Sequence, residues 1–307
     1  MRIISLLPAT TEWVCAFGAE KDLVGRSHEC DFPASVRALP PVTRAPAFSG
    51  DSAEIDQQVQ GQFEQGLSLY DVDLDALRTL RPDVVLTQAQ CEVCAVSLHQ
   101  LEAALQQWTS SRPAVVSIEP MTLKQVLDAG LRIGRAIGRF EAAMHFIAEQ
   151  EMRLERLRRR LGNKRTSVAF IEWMEGLMTA GHWMPDVIAQ AGGEAVLAER
   201  GARSRYIEWD ALREADPDVL AVGPCGFSLE ATRRDLHYLT RRAGWADLRA
   251  VREGRVFLFD GNAYFNRPGP RLYRAIELLA AALHPDVVAW EAIGVAPWEM
   301  ERWPGGG

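Results

Sequence analysis

The chain has 307 residues, 48% of them hydrophobic and 24% charged, a composition ordinary for a globular protein and a length that suits two cores better than one. Its formal net charge of -7 argues against a nucleic-acid partner, because a phosphate backbone needs a basic face. No apolar run approaches the roughly 20 residues of a membrane span, and five cysteines in so long a chain do not make a disulfide framework.

The start, Met1 to Leu7, reads as a strand, with Ile3-Ile4-Ser5-Leu6 at its centre, and lacks the charged and apolar regions of a secretion signal. As written, the sequence therefore implies a cytoplasmic protein, or an extracytoplasmic one whose leader is missing. A helix is expected from Thr11 to Phe17, stopped by Gly18, and a short strand at Leu23–Gly25 opens into the loop Arg26–Pro33. Asp75-Ala76-Leu77-Arg78, followed by Pro82-Asp83-Val84-Val85-Leu86, recurs 135 residues later as Asp210-Ala211-Leu212-Arg213 and Pro217-Asp218-Val219-Leu220-Ala221. Each copy reads as a helix, a proline-marked stop and a buried parallel strand, so the spacing implies a repeated α/β unit.

Between the copies lie the turn Gln88–Cys94, a helical pattern from Val96 to Trp108 and a strand at Ala114–Ile118. From Leu123 to Leu161 the pattern is helical almost throughout, with Gly134 and Gly138 as candidate interruptions. Arg156, Arg158, Arg159 and Arg160 close that stretch, where cations suit the negative end of a helix dipole. Phe146, Ile147, Leu154, Leu157 and Leu161 share one stripe, so this stretch reads as a stiff brace. Strands follow at Val168–Ile171 and Val256–Phe259, with a helix from Pro185 to Ala191. The expected fold is α/β: two Rossmann-like lobes with mainly parallel sheets, joined by a long backbone helix, with a ligand cleft between them. The boundaries are 1–122 for the N-terminal lobe, 123–163 for the helical region, 164–283 for the C-terminal lobe and 284–307 for a tail.

Several of these segments resemble the helical-backbone (class III) substrate-binding proteins of ABC importers, in particular their vitamin B12-binding branch. Arg2–Glu12 is similar to the opening strand and helix, Arg81–Val85 to the second unit, Thr179–His182 with Ala191-Gly192-Gly193 to the start of the C-terminal lobe, and Asp260–Arg271 to the last binding loop. The resemblance implies a non-catalytic monomer that closes on a corrinoid, cobalamin or cobinamide, and hands it to an ABC permease. It implies no intrinsic cofactor. An inserted helix between about Ala47 and Asp71 and the absent leader depart from the family's simplest members.

Site residues are expected in loops that follow strands, since ligands of parallel α/β sheets bind beyond the carboxyl ends. A planar macrocycle needs flat apolar faces together with donors and acceptors for its peripheral groups. The loop after the second strand offers His28 and Glu29; the resemblance places ring contacts there, and the imidazole is a candidate cobalt ligand. Cys91, with Cys94 in a C-x-x-C pair, fits cargo contact, local packing, or metal and redox chemistry alike. In the second half, Trp173 and Met174 follow one strand, His182 and Trp183 the next loop, and Phe227 the repeated strand. Two tryptophans in adjoining loops are costly to expose and belong either to core or to cleft. Tyr264, which the resemblance puts against the corrin, stands with Phe265 and Arg267, and Tyr70 comes from the inserted segment.

The motifs G-x-S-x-G, P-loop and H-E-x-x-H are absent from the sequence, so an enzyme is not expected. Three alternatives stay open: haem or a ferric siderophore on the same scaffold, an intracellular corrinoid sensor or chaperone, and a metal or redox protein built on Cys91, Cys94 and His28.

Overall fold

Near-continuous apolar strands are what a parallel sheet covered on both faces requires, and the chain supplies them in two sets. The computed structural model describes residues 1–44, 54, 57, 58, 71–88 and 112–305. These divide into two compact units. One holds the described residues up to Pro120 together with Lys124–Glu149; the other holds Met121–Leu123 and the chain from Gln150 onwards.

In the first unit, β1 (Ile3–Ser5) pairs in parallel with β2 (Leu23–Arg26). A small antiparallel ribbon follows, β3 (Thr43–Arg44) with β4 (Asp71–Val72). β5 (Val84–Gln88) and β6 (Ala114–Ile118) complete a parallel sheet of order β2-β1-β5-β6. Helix α1 (Pro8–Ala16) starts on a proline, whose missing N–H costs nothing at the first turn. It buries Trp13 completely, against Phe17 and Phe146. Helix α2 (Leu74–Leu80) is capped by Asp73, which accepts the Ala76 N–H at 2.9 Å, and ends on a left-handed Arg81.

The helical stretch is two helices, α3 (Leu123–Ala136) and α4 (Phe140–Leu161). Gly134 stays inside α3, and the break falls at Gly138, whose φ of 66° suits a residue without a Cβ. Val126, Ala129 and Ile133 form the buried stripe of α3. The 22 residues of α4 serve both units in turn: Ala143 and Phe146 pack in the first, and Leu154, Leu157 and Leu161 are buried in the second.

The second unit opens with β7 (Thr166–Trp173), flanked by the short strands β8 (Met178–Thr179), β9 (Gly193–Ala195) and β10 (Arg205–Tyr206). β11 (Val219–Val222) and β12 (Val256–Phe259) run parallel to β7, and every residue of both is buried. The sheet order is β10-β8-β7-β11-β12-β13, with β9 paired to β7. Helices α5 (Met184–Gln190), α6 (Trp209–Ala215) and α7 (Leu229–Asp235), the short turn α8 (Gly261–Tyr264) and α9 (Leu272–Leu283) accompany it. Beyond α9, Met300–Arg302 forms β13, an antiparallel edge strand on β12, so residues placed in a tail extend the sheet.

The repeat is structural down to single bonds. Arg81 and Asp216 both end their helices in the left-handed region, at φ 45° and 34°. Arg78 pairs with Asp75 at 3.2 Å, and Arg213 with Asp210 at 3.0 Å. The carboxylate after each proline then receives the N–H that opens the neighbouring strand: Asp83 from Arg2 at 2.7 Å, Asp218 from Ser167 at 2.9 Å.

Candidate functional site

In each unit the candidate groups gather where parallel strands end, and each cluster is described by itself. In the first, the Ser27 N–H donates to the Ser5 carbonyl at 2.8 Å, which ties the loop after β2 to the end of β1. Arg26 reaches back to the carbonyls of Ser27 and His28, at 2.8 and 3.2 Å, and stiffens the loop. Thr43 then fixes His28 twice, since its hydroxyl accepts the His28 N–H at 3.0 Å and meets Nδ1 at 2.7 Å. Burial lowers the basicity of His28; Glu29 opposes this and Arg26 reinforces it. The imidazole is half-buried and Glu29 is exposed. Cys30 is buried, with its sulfur 3.0 Å from the Thr11 hydroxyl. Tyr70 and Cys91 lie outside the described residues, as do Cys94 and the inserted segment's remaining residues up to 70 other than 54, 57 and 58.

In the second unit the loops after β7, β11 and β12 converge. The Gly223 N–H donates to Ile171, the Cys225 N–H to Glu172 and the Asn262 N–H to Phe227, at 3.0 to 3.1 Å. The start of α8 lies so close to the loop after β11 that a Cβ on Gly261 would stand 2.2 Å from the Pro224 carbonyl oxygen. The Asn266 amide crosses the same gap, donating to Gly223 at 3.2 Å and to Gly261 at 2.9 Å. On this base Trp173 and Phe227 stand edge to face, with centroids 5.3 Å apart. The indole N–H of Trp173 is buried and meets no acceptor among the described residues.

The other candidates divide between core and edge. Met174 and Phe265 are completely buried, Met174 in the main cluster of the unit and Phe265 against Phe170 and Phe259. Both were expected to touch a ligand; here their side chains are packed in the core. Trp183 is also buried, and its indole donates to the Phe265 carbonyl at 3.0 Å. It therefore braces the last loop. His182 adopts a left-handed φ of 52° and lies 3.4 Å from the Ser204 hydroxyl, which donates to Glu172 at 2.6 Å. Burial, aided by the Arg203 charge, lowers the basicity of His182. Arg267 is buried and donates to Asn262 at 2.9 Å.

Tyr264 is half-buried, with the Arg271 guanidinium 5.7 Å from its ring centroid. Burial, together with the charge of Glu299, pushes its phenol above the ordinary range. Thr43, Ser204, Asn262 and Glu299 were not singled out in the sequence. Asn262 lies in a loop already marked; the others are 15 to 35 residues from their partners, with no periodic signal to connect them.

Among the described residues no three His, Cys, Asp or Glu side chains are grouped to hold a metal ion, and no helix is long and apolar enough to cross a membrane. The family model described as periplasmic binding protein matches residues 3–263. The uncharacterized ABC transporter substrate-binding lipoprotein YvrC of Bacillus subtilis is 22% identical, over 93% of this chain and 80% of its own length. A periplasmic haem-binding protein of Pseudomonas aeruginosa superposes with a TM-score of 0.68 at 22% identity, covering 93% of each chain. The periplasmic vitamin B12-binding protein BtuF of Vibrio cholerae gives 0.64 at 19% identity, over 92% of this chain and 96% of its own.

Proposed function

The chain belongs to the periplasmic binding protein family, and from that premise we propose that it captures a corrinoid as the substrate-binding component of an ABC importer, outside the cytoplasmic membrane. Such components bind and release a cargo for a permease without transforming it, so the chain is not an enzyme. One observation supports the corrinoid reading: the half-buried Trp173, edge to face with Phe227, stands at the carboxyl end of β7. A corrinoid offers a flat, largely apolar face on which such a ring packs.

Haem is the second reading. It is favoured by the likeness to the Pseudomonas aeruginosa protein and by His28, whose lowered basicity keeps the imidazole in the neutral form that binds metals. Titration of the purified chain with cyanocobalamin, cobinamide and ferric protoporphyrin separates the two. The corrinoids are expected to give a saturable absorbance change at one equivalent, and Trp173→Ala to weaken it about tenfold, the worth of one aromatic packing contact. Silence with both corrinoids beside saturation with the porphyrin would replace the first reading by the second. Silence with all three would remove both.

A further inference from the structure

In the first unit the loop after β2 sets His28 against two buried hydroxyls, and the hydrogens among them can be assigned one by one. Main chain delivers the groups to each other: the Val42 N–H donates to the Arg26 carbonyl at 2.8 Å, which draws the start of β3 alongside the loop. Thr43 is 1% exposed and Ser27 3%, so both hydroxyls depend on protein partners. The Thr43 hydroxyl accepts the His28 backbone N–H at 3.0 Å and donates its own proton to the Ser27 hydroxyl at 3.2 Å. Ser27 also accepts the Glu29 N–H, at 3.2 Å. A hydroxyl has one proton to give and two lone pairs to receive with. With its proton spent on Ser27, Thr43 has only acceptor capacity left, and its oxygen stands 2.7 Å from Nδ1 of His28. That is a hydrogen-bond distance, and the hydrogen in it belongs to Nδ1.

We infer that Thr43 is a positioning residue that holds neutral His28 as the Nδ1–H tautomer, so that Nε2 is the one ring nitrogen with a lone pair to offer. The hydrogen bond made by one imidazole nitrogen decides which of the two is protonated, and a metal or an N–H donor meets the other. The tautomer is a property of the loop and holds whichever cargo binds. Its consequence for a cargo rests on the haem reading given above: iron that meets His28 is bound through Nε2, and Thr43 acts on it through the ring. Among the described residues no three His, Cys, Asp or Glu side chains are grouped to hold a bare ion. A lone imidazole suits instead a metal that brings its other ligands with it, as the iron of a porphyrin does.

The test reads the ring nitrogens of the ligand-free full chain by long-range proton–nitrogen correlation at about pH 8.5, where an ordinary histidine is neutral. His28→Gln identifies the signals by removing them. The wild type is expected to show a protonated Nδ1 and an unprotonated Nε2. Thr43→Val removes the acceptor and is expected to lower the ratio of Nδ1–H to Nε2–H about tenfold, the worth of one hydrogen bond. Thr43→Ser, which retains the hydroxyl, is expected to keep the wild-type ratio. A wild-type ring protonated at Nε2 overturns the inference whether or not the variants fold, and so does a Thr43→Val ring with an unchanged ratio. In a second arm, ferric protoporphyrin is titrated into the same proteins and into His28→Ala. Where His28→Ala weakens binding, Thr43→Val is expected to weaken it about tenfold and Thr43→Ser to leave it unchanged. Added to His28→Ala, Thr43→Val is expected to cost nothing more. Binding that needs His28 but ignores Thr43→Val overturns the positioning role. A porphyrin that does not bind, or binds without regard to His28, removes the haem reading of this loop and leaves the nitrogen signals to decide the tautomer, so the two failures are told apart.

Discussion

Asp83 and Asp218 occupy the same place in the two halves, at the turn between a helix that ends left-handed and a parallel strand, but they are tied in to different degrees. Asp83 accepts one N–H, from Arg2. Asp218 accepts the Ser167 N–H and hydroxyl at 2.9 and 2.8 Å, and an Arg249 guanidinium N–H at 2.7 Å. The same contrast holds at the carboxyl edges. The first unit fixes its loop through small hydroxyls, Ser5 on Thr10 at 2.6 Å and Thr43 on Ser27 at 3.2 Å. The second packs loop backbone directly on loop backbone around Gly223, Pro224 and Gly261. One repeated unit has thus been given two kinds of edge: in the first, hydroxyl side chains add to the main-chain bond from Ser27 to Ser5, and in the second, main chain packs closely on main chain.

The largest effect that would break this comparison comes from a single methyl group. Gly261→Ala puts a Cβ against the Pro224 carbonyl and the Gly223 backbone, at 2.2 and 2.5 Å, and main chain cannot step aside as a side chain can. A loss of about 3 kcal/mol is expected, together with loss of cargo binding. Gly25→Ala, in β2 of the first unit, meets only the tips of Leu80, Val42 and Ile4 at 2.9 to 3.3 Å, and about 1 kcal/mol is expected. Urea midpoints for the two variants measure the difference. Equal losses would mean that the loops of the second unit are as yielding as the strand environment of the first.

A smaller difference is expected at the paired aspartates. Removing three bonds with Asp218→Ala should cost about 2 kcal/mol, since the Ser167 N–H and hydroxyl lose their acceptor and Arg249 keeps only Asp216. Asp83→Ala removes one bond at an exposed chain end and should cost about 1 kcal/mol or less. Hydrogen exchange followed by mass spectrometry assigns each loss to its own unit.

What the sequence disclosed divides along the same line between main chain and side chain. Strands β5 and β11 were legible because proline stops a helix wherever it falls and an uninterrupted apolar run needs burial on both faces. The carboxyl-edge loops followed from topology. The burial of a side chain within a loop did not, because Met174, Phe227 and Phe265 are as apolar as Trp173 and only packing decides that those three are buried while Trp173 stays partly open. Strand β13 was hidden because Met300-Glu301-Arg302 is short and only Met300 is buried, as an edge strand allows. Glu299 was hidden with it, since its side-chain partner, Arg274, lies 25 residues earlier in the chain.

The smallest expected effect is one of pH, and it sharpens the contrast between the units. His28 in the first unit, and His182 and His284 in the second, are all made less basic by burial. A histidine whose pKa is depressed on folding binds its proton more readily in the unfolded chain. Its contribution to stability is therefore complete above about pH 6.5 and is lost as pH falls below it. Asp218 and Glu299 are depressed as well, but carboxylates lose their contribution only below about pH 4, so between pH 7.5 and 5.5 the histidines act alone. The second unit holds two of the three, and Glu29 offsets part of the effect on His28, so exchange protection should fall more in the second unit than in the first. His284→Gln gives the check: glutamine can still donate to the Gly192 carbonyl that His284 meets at 3.0 Å, but it cannot take up a proton. The acid-dependent loss in the second unit should shrink in that variant while its stability at pH 7.5 holds, and an unchanged slope would assign the loss to groups other than His284.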